Sequence, residues 1–248
     1  MKTFGGQRLL DPKHITRLVQ IATAVEPIPT KQGLTTRHKD IVETLKLEYF
    51  IVAGINSGAV VEELIDKKFT TTPYELLAKA SIKGHLSRGG VRVSAPMFEL
   101  LWPILLSIRD YKGSNIEEIL SKVVNSMLDT SPEDAIWLQV TRNFNFSTWE
   151  GHFKHNKLIN FELDSVYAVY KDLAGSGDEH AMVSAREFVE GFPTLLNYFN
   201  AVDRTLAYSQ AMEKLYLEVN KDKPLGMIAD LMACLVFLLM YLEDYKIK

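Results

Sequence analysis

The segment LGMIADLMACLVFLLMYL, residues 225–242, constrains the fold more than any other part of the chain. By length alone it could cross a bilayer as a helix. Gly226 and Asp230 interrupt it, however, and a carboxylate in hydrocarbon is costly. The expectation is therefore a core helix of a soluble protein carrying one buried carboxylate. A helix that is apolar on every side needs neighbours on every side, so the rest of the chain must supply a shell.

That shell reads as further helices. In NIEEILSKVVNSML, residues 115–128, Ile116, Ile119, Leu120, Val123, Val124, Met127 and Leu128 fall on one face at the helical spacing. Asp11-Pro12 and Ser131-Pro132 with Asp134 are helix starts, a capping side chain followed by a proline whose missing N–H costs nothing there. Thr72-Pro73 and Ser94 read the same way, and Pro103 should kink the helix that follows Ser94. No segment shows the strict alternation of a half-buried strand. The chain is expected to be all-α: a single-domain, multi-helix orthogonal bundle spanning 1–248, with about ten helices and the 225–242 helix at its centre.

Charge narrows the partners. With 28 basic and 31 acidic residues the net charge is −3, so no bulk field draws the protein to nucleic acid or to an anionic membrane. Any anion site must be local. Cys234 is the sole cysteine, which excludes an intrachain disulfide and fits a reducing cytoplasm. The opening MKTFGGQRLLDPK lacks the apolar run of a signal peptide, which also points to the cytoplasm. A homo-oligomer is compatible with this composition.

Two stretches resist a helical reading, 26–40 and 143–163, and binding groups concentrate on such loops. In TKQGLTTRHKD, Lys31, Arg37, His38 and Lys39 surround Gly33 and lead to Asp40 and Glu43. The loop either holds an anion beside a metal, the bases gripping phosphate and the carboxylates Mg²⁺, or is a solvated basic turn. The turn at 83–93 is equally two-sided: Lys83, His85, Arg88 and Arg92 around Gly84, Gly89 and Gly90 either cradle a phosphate or simply link two helices. It matches neither a Walker loop nor a dinucleotide fingerprint. Glu150, His152 and His155 lack the further ligands a transition metal needs. No GxSxG elbow is present, and Cys234 sits in the apolar helix. Glu187 and Asp230 are carboxylates in apolar helical surroundings, where a carboxylate must be paired, metal-bound or protonated.

Taken in order, TKQGLTTRHKDIVET (30–44), KGHLSRGGVRVSAP (83–96), TSPEDA (130–135), SAREFVEGF (184–192) and PLGMIADLMA (224–233) resemble the motif succession of the triphosphoribosyl-dephospho-CoA synthase family, chiefly its short archaeal-type members. The resemblance runs through most of the chain and implies an all-helical fold. It also implies a transferase that joins the triphosphoribosyl part of ATP, as substrate, to dephospho-CoA with loss of adenine. On that basis Lys31, Gly33, Arg37, Gly84, Arg88, Gly89 and Gly90 would bind the nucleotide. Asp40 and Glu43 would hold Mg²⁺ and, with Glu187 and Asp230, do the chemistry.

The chain departs from the family pattern where the metal ligands lie. Leu86 and Arg88 stand where two asparagines are expected, and Gln32 replaces a proline. The resulting site is more basic and poorer in metal ligands, so a phosphate-bearing ligand is expected to bind with little dependence on Mg²⁺. The other implied outcome is a diverged paralogue on the same scaffold, binding a ligand or a protein without catalysis.

Overall fold

The computed structural model describes residues 11–38, 40, 46–87, 95–111, 115–147, 158–176, 179–219, 224–243 and 245–247. Among them are eleven helices and no strand. They are α1 (Pro12–Val25), α2 (Leu47–Asp66), α3 (Pro73–Ser87), α4 (Ala95–Tyr111), α5 (Ile116–Leu128) and α6 (Pro132–Ser147). After a second long connection come α7 (Val166–Ala174), α8 (Glu179–Val189), α9 (Pro193–Ala201), α10 (Tyr208–Glu218) and α11 (Leu225–Glu243). The protein is an all-α, multi-helix bundle.

The helix starts follow the local chemistry. Asp11 accepts the Lys13 N–H at 3.1 Å with Pro12 in the first position of α1. At α6, Ser131 and Asp134 cap each other: the Ser131 N–H donates to the carboxylate at 3.1 Å, and the Asp134 N–H to the Ser131 hydroxyl at 3.2 Å. Asn115 caps α5 through the Glu118 N–H at 2.8 Å.

The shell closes around α11. From Leu235 to Leu239 every side chain is at most 1% exposed, and full burial of each such side chain stabilises by about 1.5–3 kcal/mol. The helix is long and apolar enough to cross a membrane, and 78% of its apolar window is buried inside the protein. It packs against α1, α4 and α9, and the buried side chains of all eleven helices form one contiguous apolar cluster. α1 and α2 approach closely because Gly54 is bare: a Cβ there would lie 2.7 Å from the Gln20 carbonyl oxygen.

Two expectations need correction. α3 runs through Ser87, so Gly84 lies within a helix and not in a turn; its N–H belongs to the helical ladder and is not presented to a phosphate. α6 runs through Ser147, so residues 143–147, expected to open a loop over 143–163, are helical. A single glycine in a helix costs only about 1 kcal/mol relative to alanine, which the packing of α3 on α6, α2 and α4 outweighs. Lys39, Glu43, Arg88, Gly89 and Gly90 lie outside the described residues, as do Glu150, His152 and His155.

Candidate functional site

The loop after α1 is built by Pro27 and Pro29, which deny it helical N–H donors, and by Gly33 at φ +84°. A Cβ on Gly33 would lie 2.8 Å from Leu225 Cδ1, so the loop sits directly on the first residue of α11. α10 straps it from the other side. The Tyr208 hydroxyl donates to the Val25 carbonyl at 2.9 Å, the Tyr216 hydroxyl to the Gln32 carbonyl at 2.6 Å, and the Thr30 N–H to Glu213 at 2.8 Å.

Within this loop the cation expected to grip phosphate is already engaged. Lys31 is 2% exposed, forms an ion pair with the Glu26 carboxylate, and donates to the Glu26 carbonyl at 2.6 Å. Burial, with the Glu26 carboxylate adding to it, holds the nearby Tyr208 hydroxyl well above the ordinary tyrosine range. Arg37 is exposed, its Nε donating to His38 Nε2 at 2.9 Å. Asp40 is exposed and accepts the Leu47 N–H at 3.2 Å, satisfying the first N–H of α2. Mg²⁺ was assigned to Asp40 and Glu43; Asp40 serves a helix end, Glu43 lies outside the described residues, and among the described residues no three His, Cys, Asp or Glu side chains group as metal ligands.

Glu187 and Asp230 both act on Cys234 of α11. Glu187, 1% exposed on α8, accepts the Thr194 and Leu195 N–H groups at 2.9 and 3.1 Å, anchoring the start of α9. The turn between α8 and α9 is tight: Phe192 has φ 63°, a left-handed conformation unfavourable for a bulky residue. It is held by full burial and by edge packing on Phe188, centroids 5.2 Å apart. One turn earlier Ser184 contacts the Met227 sulfur at 3.8 Å, so α8 faces the first half of α11. Burial, then Asp230 and Glu187 in turn, push the Cys234 thiol up, which places both carboxylates within electrostatic reach of one buried sulfur. Asp230 itself is half-buried. Gly33, Glu187 and Asp230 thus lie along the first half of α11.

Beside Glu187 lies a cavity of about 600 Å³, bounded by α8, α9 and α10. Its polar lining comes chiefly from Arg186, Glu187, Glu190, Asn197, Tyr198 and Glu218, and its apolar wall from Val183, Pro193, Leu215 and Val219. Tyr198 is 5% exposed, and burial with the Glu187 charge pushes its hydroxyl up to about 12.

A second polar cluster lies in the interior. Glu99 of α4 and Arg142 of α6 form an ion pair, 6% and 8% exposed, and the Tyr170 hydroxyl donates to Glu99 at 3.2 Å. Arg142 lies over the Tyr170 ring, 5.9 Å from its centroid. The fully buried Tyr74 hydroxyl has no hydrogen-bond partner among the described residues. Sequence reasoning missed Glu26, Glu99, Arg142 and Tyr198. Glu99 in APMFELLWPILL and Arg142 in WLQVTRNF carry the signal that drew attention to Glu187, a lone charge on an apolar helical face; Tyr198 in LLNYFN carries none. No protein-family model, curated protein or solved structure matches this chain.

Proposed function

We propose that this chain is a small-molecule-binding protein on a helical scaffold, its ligand seated in the cavity between α8, α9 and α10. The observation that carries this reading is a contrast. Lys31 and Asp40, assigned by the resemblance to phosphate and metal, are spent on Glu26 and on the start of α2. The cavity beside Glu187, by comparison, is roomy and mixes apolar walls with convergent polar groups, the usual character of a ligand site.

Asn197 lines the cavity yet is exposed, so Asn197→Trp should fill the space without disturbing the core. The test is a thermal-shift panel of ATP, dephospho-CoA, inorganic phosphate and small amines, each with and without Mg²⁺, on wild type and this variant. A ligand at 100 times its dissociation constant stabilises by about 2.7 kcal/mol. The expected result is at least one stabilising compound whose effect disappears in Asn197→Trp. Ligands that act equally on both proteins would overturn the assignment.

A second reading is favoured by one observation, the placement of Gly33, Glu187 and Asp230 along α11. In it the chain is the triphosphoribosyl transferase that the motif order resembles, acting on ATP and dephospho-CoA, with the two carboxylates serving the reacting ribose. Strictly Mg²⁺-dependent stabilisation by ATP, lost in Asp230→Asn and kept in Asn197→Trp, would favour it.

A further inference from the structure

We propose that the outer face of the α1–α2 pair is the contact surface of a homodimer, with a second copy of this chain seated on it about a two-fold axis parallel to the two helices. α2 carries no charged residue from Tyr49 to Val61, a run that belongs to a helix covered on most sides. Yet Ile51 is 42% and Ile55 65% exposed, one turn apart on a face that continues into the exposed Ala59. On α1, Ile21 is 40% exposed. The two helices run antiparallel: Thr16 and Gln20 fill the space left by Gly58, while the Gln20 carbonyl and Ala24 fill that left by Gly54. Gln20 Nε2 also donates to the Ile55 carbonyl at 3.1 Å. Ile21 is therefore level with Ile55, and Lys13 and Arg17 lie toward the Glu62 end of α2.

The charges at the rim identify what covers this face. α1 presents the exposed Lys13 and Arg17; α2 presents the exposed Glu48 at one end and the half-buried Glu62 at the other. Among the described residues none of these four side chains forms an ion pair. Asp66, one turn beyond Glu62, is taken by Lys68, whose charge Glu62 also helps to hold. A two-fold axis running between the helices lays α1 of each copy over α2 of the other. Ile21 then meets the partner's Ile55, and Lys13 and Arg17 meet the partner's Glu62. The other two-fold arrangements oppose like charges: α2 on its own copy sets Glu62 against the partner's Glu48 when antiparallel about Ile55, and against the partner's Glu62 when parallel. Like charges so placed disfavour the wrong docking. A face that is basic along one helix, acidic along the other and apolar between is complementary to itself, as an isologous contact requires. An anionic lipid surface would be repelled by its acidic half.

The test is sedimentation velocity of the full chain over a concentration series, at low and at high salt, with circular dichroism to confirm that each variant is folded. Wild type should exchange between one chain and two, and higher salt should weaken the dimer by screening its exposed charge pairs. Ile51→Gln/Ile55→Gln should weaken dimerisation about tenfold or more, through lost apolar burial, and Arg17→Glu about tenfold. Arg17→Glu/Glu62→Arg restores opposite charges across the contact and should recover part of that loss. Leu128→Gln, at a position 49% exposed on α5, should change nothing. A monomer at every concentration, a dimer indifferent to Ile51→Gln/Ile55→Gln, or equal weakening by Leu128→Gln would each overturn the proposal. No recovery in Arg17→Glu/Glu62→Arg would overturn the two-fold arrangement. A monomer that sediments with phosphatidylglycerol vesicles, and loses this in Ile51→Gln/Ile55→Gln, would put a membrane surface in place of the second copy. The ligand reading of the α8–α10 cavity stands or falls separately.

Discussion

Replacing Lys31 with methionine separates a structural cation from a phosphate-gripping one. The ammonium is 2% exposed and Glu26 8% exposed, so the substitution leaves a carboxylate buried without its partner. Breaking a buried pair in this way costs about 3–5 kcal/mol. The lost 2.6 Å donation to the Glu26 carbonyl is part of that figure and is not added to it. At this chain length about 1 kcal/mol moves the melting midpoint by about 2–4 °C, so Lys31→Met should melt about 6–20 °C below wild type. Glu26→Gln/Lys31→Met removes both charges, and a neutral pair of similar volume is often close to neutral in stability; it should recover most of the loss. Urea denaturation followed by circular dichroism gives all three free energies and hence the coupling. A loss below about 1 kcal/mol in Lys31→Met, with no recovery in the double variant, would refute the assignment of Lys31 to the fold.

Other outcomes follow from the same contacts. Glu187→Ala should destabilise by about 1–3 kcal/mol, since the Thr194 and Leu195 N–H groups lose their acceptor; Glu187→Gln keeps an acceptor oxygen and should cost less, as chemical denaturation would show. Arg142→Met should cost about 3–5 kcal/mol and Glu99→Leu/Arg142→Met far less, with equal losses contradicting the pairing. Burial holds the Tyr74, Tyr170 and Tyr208 hydroxyls well above the ordinary range and Tyr198 at about 12. Their proton is kept in the native state while the unfolded chain ionises near pH 10. The stability this represents is intact below about pH 10 and is lost as pH rises through the folded values. Tyrosinate absorbance from these residues should therefore appear only with unfolding. Ionisation of all 10 tyrosines in a protein with native circular dichroism would contradict it.

What was legible in the sequence was whatever depends on neighbours along the chain. The uninterrupted apolar run of α11 and the periodic face of α5 required helices in a helical protein, and Asp11-Pro12 and Ser131-Asp134 marked where two of them start. Glu187 and Asp230 stood out because a carboxylate among apolar residues needs a partner. The continuation of α3 past Gly84 was hidden, because glycine signals a turn locally while contacts with α6 decide the matter. The Lys31–Glu26 pair was hidden for a related reason. The two residues are separated by Pro27 and Pro29, and only the strap from α10 folds that segment back on itself and removes it from water. The cavity arises where three helices leave a gap, which no single segment encodes.

The proposal that sets the two readings apart is that the protein binds a ligand beside Glu187 without the transferase chemistry that its motif order implies. The most direct test is adenine release by the purified chain supplied with ATP, dephospho-CoA and Mg²⁺, measured chromatographically against a protein-free control. The account predicts no release above that control. Mg²⁺-dependent adenine release that is abolished in Asp230→Asn would contradict it.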